Sequence, residues 1–300
     1  MSTISRLFLC LLATLPAACT ATRRVSFDTP EAALRYLLLA AEDRDAAETL
    51  LGPGGFELLR SGDEVADRQD FEAVVALLEE RLVFEDLEDG RKLALLGHEA
   101  WEFPIPLARV QEGWEFDVEA GRQEVLNRRV GRNEISTIET LRAIVEAQRE
   151  YRAAGHGGQG PAYAQRLLSS PGQRDGLYWP AAEGEAESPL GPFVAEAAAE
   201  GYRDAKDQRI PYHGYLYRLL TSQGRSAPGA ERSYIDAAGR LTGGFAVLAW
   251  PATYGNSGVK TFIVNQQGLV FEKDLGPDTA QLAPRIRAYD PDTSWDPTRD

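Results

Sequence analysis

The stretch LNRRVGRNE, residues 126–134, sets Arg128, Arg129 and Arg132 close together in an otherwise acidic chain. Guanidinium forks grip carboxylate or phosphate through paired N–H donors. Ahead of a helix, such arginines would reinforce the anion preference of its free backbone amides. Two uses follow from the residue types. The arginines could receive a small anion or an acidic partner segment, or they could pair with the acidic first part of the chain and clamp two domains together. His213, in IPYHGYLYR, is the best placed of three dispersed histidines to act as a general base; the others are His98 and His156. No carboxylate lies near it in sequence to orient it, so the blander expectation is a hydrogen-bonded histidine at a strand end. Ser257 and Lys260 have the Ser-x-x-Lys spacing of penicillin-recognising enzymes. They read as a loop entering a strand, where residues three apart point to opposite faces. Asp290, Asp292, Ser294 and Asp296 begin like a calcium loop, but Trp295 stands where a glycine is needed. No paired-histidine helix, phosphate-cradling glycine loop, nucleophile elbow or dinucleotide fingerprint is present. No metal site, no cofactor and no assigned catalytic residue are expected.

The elements that would carry these residues have clear signals. In FDTPEAALRYLLLAAEDRD, Thr29 suits an N-cap, Pro30 the first helical position and Glu31 the positive helix end. Leu34, Leu37, Leu38 and Ala41 then form an apolar stripe. The run DRQDFEAVVALLEERLVF reads as a further helix, with Phe71, Val74, Val75, Leu77 and Leu78 available for burial. Two extended runs flank Gln111-Glu112-Gly113 and predict a hairpin, with Pro104 and Pro106 marking an edge or bulge. From Gly131 to Tyr151 the chain reads as one helix capped by Asn133, with Ile135, Ile138, Leu141, Val145 and Tyr151 along one face. Strand signals follow in GYLYRLLT, GGFAVLAWPA and KTFIVNQQGLVFEKDLG, the last containing a hairpin around Gln266-Gln267-Gly268. The aromatic loop GLYWP would plug the end of the helix-sheet layer or form a shallow groove. The fold class is α+β, with the long helix covering an antiparallel sheet.

The 300 residues suffice for two domains, and 43% hydrophobic content argues against wholesale disorder. The formal net charge is -14, and between Asp28 and Asp89 there are 18 acidic residues against 5 arginines. Such a surface repels phosphate backbones, so nucleic acid is not an expected partner. The simplest use of this acidic segment is a solvated face. The N-terminal MSTISRLFLCLLATLPAACTATRR has one positive charge, a short apolar run and small residues before Cys19, the layout of an export signal. LPAAC resembles a bacterial lipoprotein cleavage box, which implies residues 1–18 as signal peptide and Cys19 as the acylated first mature residue. Simple cleavage near Ala18 or Thr20 is the alternative. Cys10 and Cys19 are the two cysteines, so a mature body would hold neither an internal disulfide nor a thiolate nucleophile.

Two helices followed by a hairpin ending in GWEFD resemble, in layout, the cone-shaped domains of the nuclear-transport-factor-2-like superfamily. RNEISTIETLRAIVEAQREY, GLYWP, GYLYRLL and FAVLAWPATYGNSGVKTFIVNQQGLVFEKDLGP resemble the bacterial 2950 family of domains of unknown function. The same segments are similar to globular heads of type IV pilins and pseudopilins. A pilin joins its long apolar N-terminal helix directly to this one, whereas here about a hundred polar residues intervene. The expected organisation is a linker at 19–26, an acidic α+β domain at 27–122, a pilin-head-like α+β domain at 123–290 and an irregular tail at 291–300. The expected function is an exported envelope protein, periplasmic or anchored to an outer membrane through Cys19. It would serve as a non-enzymatic binding or assembly module with an envelope protein partner. The alternatives are a hydrolase or small-ligand enzyme, with His213 and the arginines at a pocket between the domains, and a ligand carrier. The carrier requires a closed apolar cavity in the first domain, lined by the Leu37, Val75 and Trp101 region.

Overall fold

The computed structural model describes residues 25–155, 160–181, 185–200 and 211–298. The export segment, Cys10, Cys19 and His156 lie outside the described residues. The chain opens with α1 (Pro30–Ala40), α2 (Arg44–Leu51), α3 (Gly55–Leu59) and α4 (Glu64–Glu80). Thr29 caps α1 by accepting from the Ala32 amide at 3.2 Å, with Pro30 in the first turn. Asp43 and Asp63 cap α2 and α4 in the same way. These caps satisfy amides that have no partner inside the helix.

An antiparallel sheet follows: β1 (Leu82–Asp86), β2 (Lys92–Leu96), β3 (Trp101–Glu102), β4 (Leu107–Val110) and β5 (Gly113–Phe116), in the order β1-β2-β4-β5 with β3 beside β2. The expected hairpin is the β4–β5 pair, with Val110 opposite Gly113. The helix read through Phe84 stops at Glu80 instead. Leu82, Val83 and Phe84 are β-prone residues that pair with β2, and this pairing overrides the helical periodicity before them. Phe27 adds a backbone bridge to Trp114. The first core gathers Leu34, Leu37, Leu50, Leu58, Leu96, Ile105, Leu107 and Phe116.

Helix α5 (Val118–Ala154) has 37 residues, roughly 55 Å at 1.5 Å per residue. It begins 13 residues before the expected Gly131 and runs across the expected domain boundary at 122/123. Asp117 caps it, accepting from the Ala120 amide at 3.2 Å, and Gly155 ends it in a left-handed conformation. Val118, Val125 and Leu126 belong to the first core, while Leu141, Ile144, Val145 and Tyr151 belong to a second. One helix therefore serves two cores. Asn133 is an interior residue of this helix and not its cap. Ile135 is 61% exposed, because the buried face runs through Thr137, Leu141, Ile144 and Gln148 and position 135 falls off it.

The second core closes over a sheet of order β12-β11-β10-β9-β6. Before it comes α6 (Gly191–Glu200); the strands are β6 (Tyr215–Leu220), β9 (Ala246–Pro251), β10 (Lys260–Asn265), β11 (Val270–Asp274) and β12 (Asp296–Pro297). A separate two-strand ribbon joins β7 (Ser222–Gln223) to β8 (Arg232–Ser233). Consecutive residues of β9 and β10 are buried, so both faces of this sheet are covered. Helix α5 packs on β9 and β10, and the short α7 (Thr279–Leu282) also packs on β9. The hairpin at Gln266-Gln267-Gly268 joins β10 to β11. In the tail, Lys273 Nζ donates to Ser294 at 2.6 Å and β12 pairs with β11. In the GLYWP loop, Leu177 and Trp179 enter the second core, with Trp179 set edge-on to Tyr151. The overall class is α+β.

Gly121 explains how α5 meets the first domain. A Cβ there would lie 2.6 Å from Ile105 Cα and 2.8 Å from the Pro104 carbonyl oxygen. Gly121→Ala should therefore lower the unfolding free energy by about 2–3 kcal/mol despite alanine's higher helix propensity. Gly131 has nothing within 4 Å of its virtual Cβ. Gly131→Ala should instead stabilise by up to about 1 kcal/mol. Urea denaturation of the two variants reads both signs; equal shifts would refute the close-approach explanation.

Candidate functional site

Helix α4 is 17 residues long, yet its only buried residue is Asp67, still 9% exposed. Phe71, Val74, Leu77 and Leu78 are all half-buried. An amphipathic helix ordinarily buries this stripe against its own core. Here Phe71, Val74 and Leu77 face a cavity of about 710 Å³, partly open to solvent. Leu37 and Leu38 of α1, Phe56 and Leu58 around α3, and Trp101, Phe103 and Ile105 form its other apolar walls. Val125, Arg128, Arg129 and Arg132 of α5 close one side. The carrier reading expects a closed apolar cavity lined by Leu37, Val75 and Trp101; Leu37 and Trp101 line this one, Val74 does so in place of Val75, and the cavity is partly open with charged residues in its walls. The volume falls within the ordinary range for small-molecule sites.

The three arginines share this cavity, but they do not stand before a helix. They lie within α5, so no free N-terminal amides assist them. Arg129 is 8% exposed. Its Nη2 donates to the Leu58 carbonyl at 2.6 Å and its Nη1 to Asn256 Oδ1. Burial holds the guanidinium below its usual range, opposed by the charges of Asp67 and Asp70. Arg132 pairs with Asp70 of α4 at 2.6 Å. Arg128 pairs with Glu124 at 2.6 Å, donates to the Glu102 carbonyl at 2.7 Å and sits 5.4 Å from the centre of the Trp101 ring.

Around Arg129 a polar junction ties the two cores. Asn256 Nδ2 donates to the Arg60 carbonyl at 3.1 Å. Asn133 donates to the Ser257 carbonyl at 2.9 Å, and Glu134 accepts from the Val259 and Lys260 amides, each at 2.9 Å. Asp63 caps α4 with Oδ1 and accepts from the Gly214 amide with Oδ2 at 3.0 Å. Gly214 is left-handed, and a Cβ there would meet Asn133 Nδ2 at 2.7 Å. Segment 58–63, the middle of α5, the turn at 213–214 and the loop at 253–258 thus interlock.

His213 sits in that turn with a positive φ of 48°, and its ring packs on Tyr212. It does not line the cavity that holds the three arginines. His98 pairs with Glu80 at 3.2 Å. Ser257 is buried and exchanges hydrogen bonds with the Thr253 backbone, while Lys260 faces Glu272. Their spacing therefore brings no serine–lysine pair together. Among the described residues, no group of three or more His, Cys, Asp or Glu side chains is arranged to hold a metal. Burial pushes the Tyr217 hydroxyl up to about 12, so it carries no phenolate at neutral pH. No described helix is long and apolar enough to cross a membrane.

The model of the family described as protein of unknown function, DUF2950, matches residues 24–298. The chain belongs to the DUF2950 family. The match spans both cores and the whole of α5, so the cavity and the junction lie inside one DUF2950 unit. No curated protein and no solved structure matches the chain. Sequence reasoning missed the acceptors of the junction, the Leu58 and Arg60 carbonyls, because every residue has such a group and no side-chain pattern marks which are used.

Proposed function

We propose that this DUF2950 protein is an exported envelope protein whose first domain is a binding module for a small apolar ligand. The observation that carries the reading is the cavity beneath α4. Phe71, Val74 and Leu77 of this helix are only half-buried and line about 710 Å³ of space that a bound molecule could fill. Burying apolar surface contributes roughly 25 cal/mol per Å², so an apolar occupant has a driving force there. Export rests on the N-terminal charge, apolar run and small residues before Cys19. Acylation of Cys19 would place the module at a membrane surface, and an envelope protein partner is part of the same reading. The cone-like layout of the first half fits a pocket-bearing domain, and the pilin-head likeness of the second half fits a rigid support for it.

The test uses the neutral fluorescent probe N-phenyl-1-naphthylamine and the purified protein. Saturable binding at one site per chain is expected. Val74→Trp places a large side chain in the cavity and should weaken that binding at least tenfold with the circular dichroism spectrum retained. Absence of saturable binding, or full binding by the folded Val74→Trp variant, would overturn the reading.

A further inference from the structure

We infer that the occupant of this cavity is an amphipathic acid, an apolar acyl or aryl body ending in a carboxylate held by Arg68 and Arg128. The inference rests on the binding reading above and adds the polar half of the ligand. The chain is acidic overall, at -14, and its early segment is the most acidic part. The cavity inverts that balance: five arginines and four carboxylates line it. Asp70 is engaged by Arg132, and Asp67 accepts from the Ser61 amide at 2.8 Å while opposing the charge of buried Arg129. Four of the cationic groups keep donors in reserve: Arg60 uses only Nε, on the Ala41 carbonyl, and Arg132 only Nη2, on Asp70, while Arg68 and Arg128 combine free donors with the least and the most fixed positions. The Arg68 side chain makes no hydrogen bond or ion pair with any described residue. Arg128 spends Nε on Glu124 and Nη1 on the Glu102 carbonyl, which leaves Nη2. Trp101, itself a wall of the cavity, lies beside that guanidinium at 5.4 Å. The Arg128 head is therefore held in place at an apolar wall before any ligand arrives.

A fixed guanidinium beside an apolar surface suits a ligand whose charge sits at one end. A carboxylate can accept two parallel N–H bonds from such a fork. A neutral apolar ligand would leave the reserve donors of Arg68 and Arg128 facing only solvent. Glu64 lies one turn before Arg68 on α4 and also lines the cavity, so the carboxylate of a ligand competes with it for Arg68.

The experiment measures displacement of N-phenyl-1-naphthylamine by dodecanoate and by dodecanol, which differ only in the head group. Dodecanoate is expected to bind at least tenfold more tightly. Arg68 is exposed and unpaired, so Arg68→Gln should fold as the parent does. It should lose about tenfold in dodecanoate affinity. Dodecanol and probe affinities should stay within about twofold, since neither carries a charge. Arg128→Gln should act in the same direction. Equal binding of acid and alcohol, or dodecanoate affinity unchanged in both variants, overturns the acid-head inference while the cavity remains a binding site. Failure of the probe to bind overturns the cavity reading and this inference with it.

Discussion

Arg129→Met is expected to lower the unfolding free energy by about 3 kcal/mol and to loosen the contact between the two cores. The side chain is buried, and its two terminal nitrogens reach acceptors on different parts of the fold. Leu58 belongs to the first core, whereas Asn256 lies in the loop before β10. Methionine fills much of the volume but leaves the Leu58 carbonyl without its charge-assisted donor. It also leaves Asp67 and Asp70 without the buried charge they oppose. Arg129→Lys should recover little, because a single ammonium cannot span both acceptors as the planar guanidinium does. Chemical denaturation checks the magnitude, and limited proteolysis near residues 58–63 checks the loosening. A loss below about 1 kcal/mol in the methionine variant would mean that the junction is relaxed by water at little cost.

Asp63→Ala is expected to cost a further amount of the same size, about 3 kcal/mol, by combining two separate losses. Oδ1 accepts from the Val65 and Ala66 amides at 3.2 and 3.1 Å, which is the N-cap of α4. Oδ2 accepts from the Gly214 amide across the junction. Loss of a cap costs typically about 1 kcal/mol, and an unpaired buried amide about 1–3 kcal/mol. Asp63→Asn separates the two. Asparagine is an equally good cap, but its Nδ2 would turn a donor toward the Gly214 N–H. The asparagine variant should therefore keep α4 intact and lose only the cross-junction part. If alanine and asparagine were equally mild, the Gly214 contact would be without energetic weight. Because α4 roofs the cavity, the alanine variant should also weaken binding of the naphthylamine probe, read in the same titration.

These expectations bear on the two uses first considered for the arginines. Arg132 pairs with an acidic residue of α4, Asp70, whereas Arg129 donates to the Leu58 carbonyl and to Asn256 and not to a carboxylate. Arg128 also bonds the first domain through the Glu102 carbonyl, yet it keeps a donor at the cavity. Arg132 stands three and four residues from Arg129 and Arg128, a spacing that brings it to the same side of the helix as each of them. His213 contributes to the junction through its turn, not to the cavity.

Local chemistry was readable from the residues. Thr29 and Pro30 set the start of α1, the glycines at 113 and 268 marked hairpins, and the apolar runs in β9 and β10 gave buried strands. These signals act over a few residues and need no knowledge of distant neighbours. The family resemblance was legible for the same reason, since its motifs are short runs within α5 and the second sheet. Three things were decided only by the tertiary structure. The helix read from Gly131 in fact starts at Val118, so Gly121 and Gly131 are both interior to α5. At Gly121 the close approach of Pro104 and Ile105 leaves no room for a Cβ. The stripe Phe71, Val74 and Leu77 read as core; Val74 and Leu77 do pack against the first core, but all three stay half-buried and also line a cavity. The junction partners at Leu58 and Arg60 are backbone carbonyls, which carry no residue identity. Periodicity says which side of a helix is apolar; only packing says whether that side meets side chains or space.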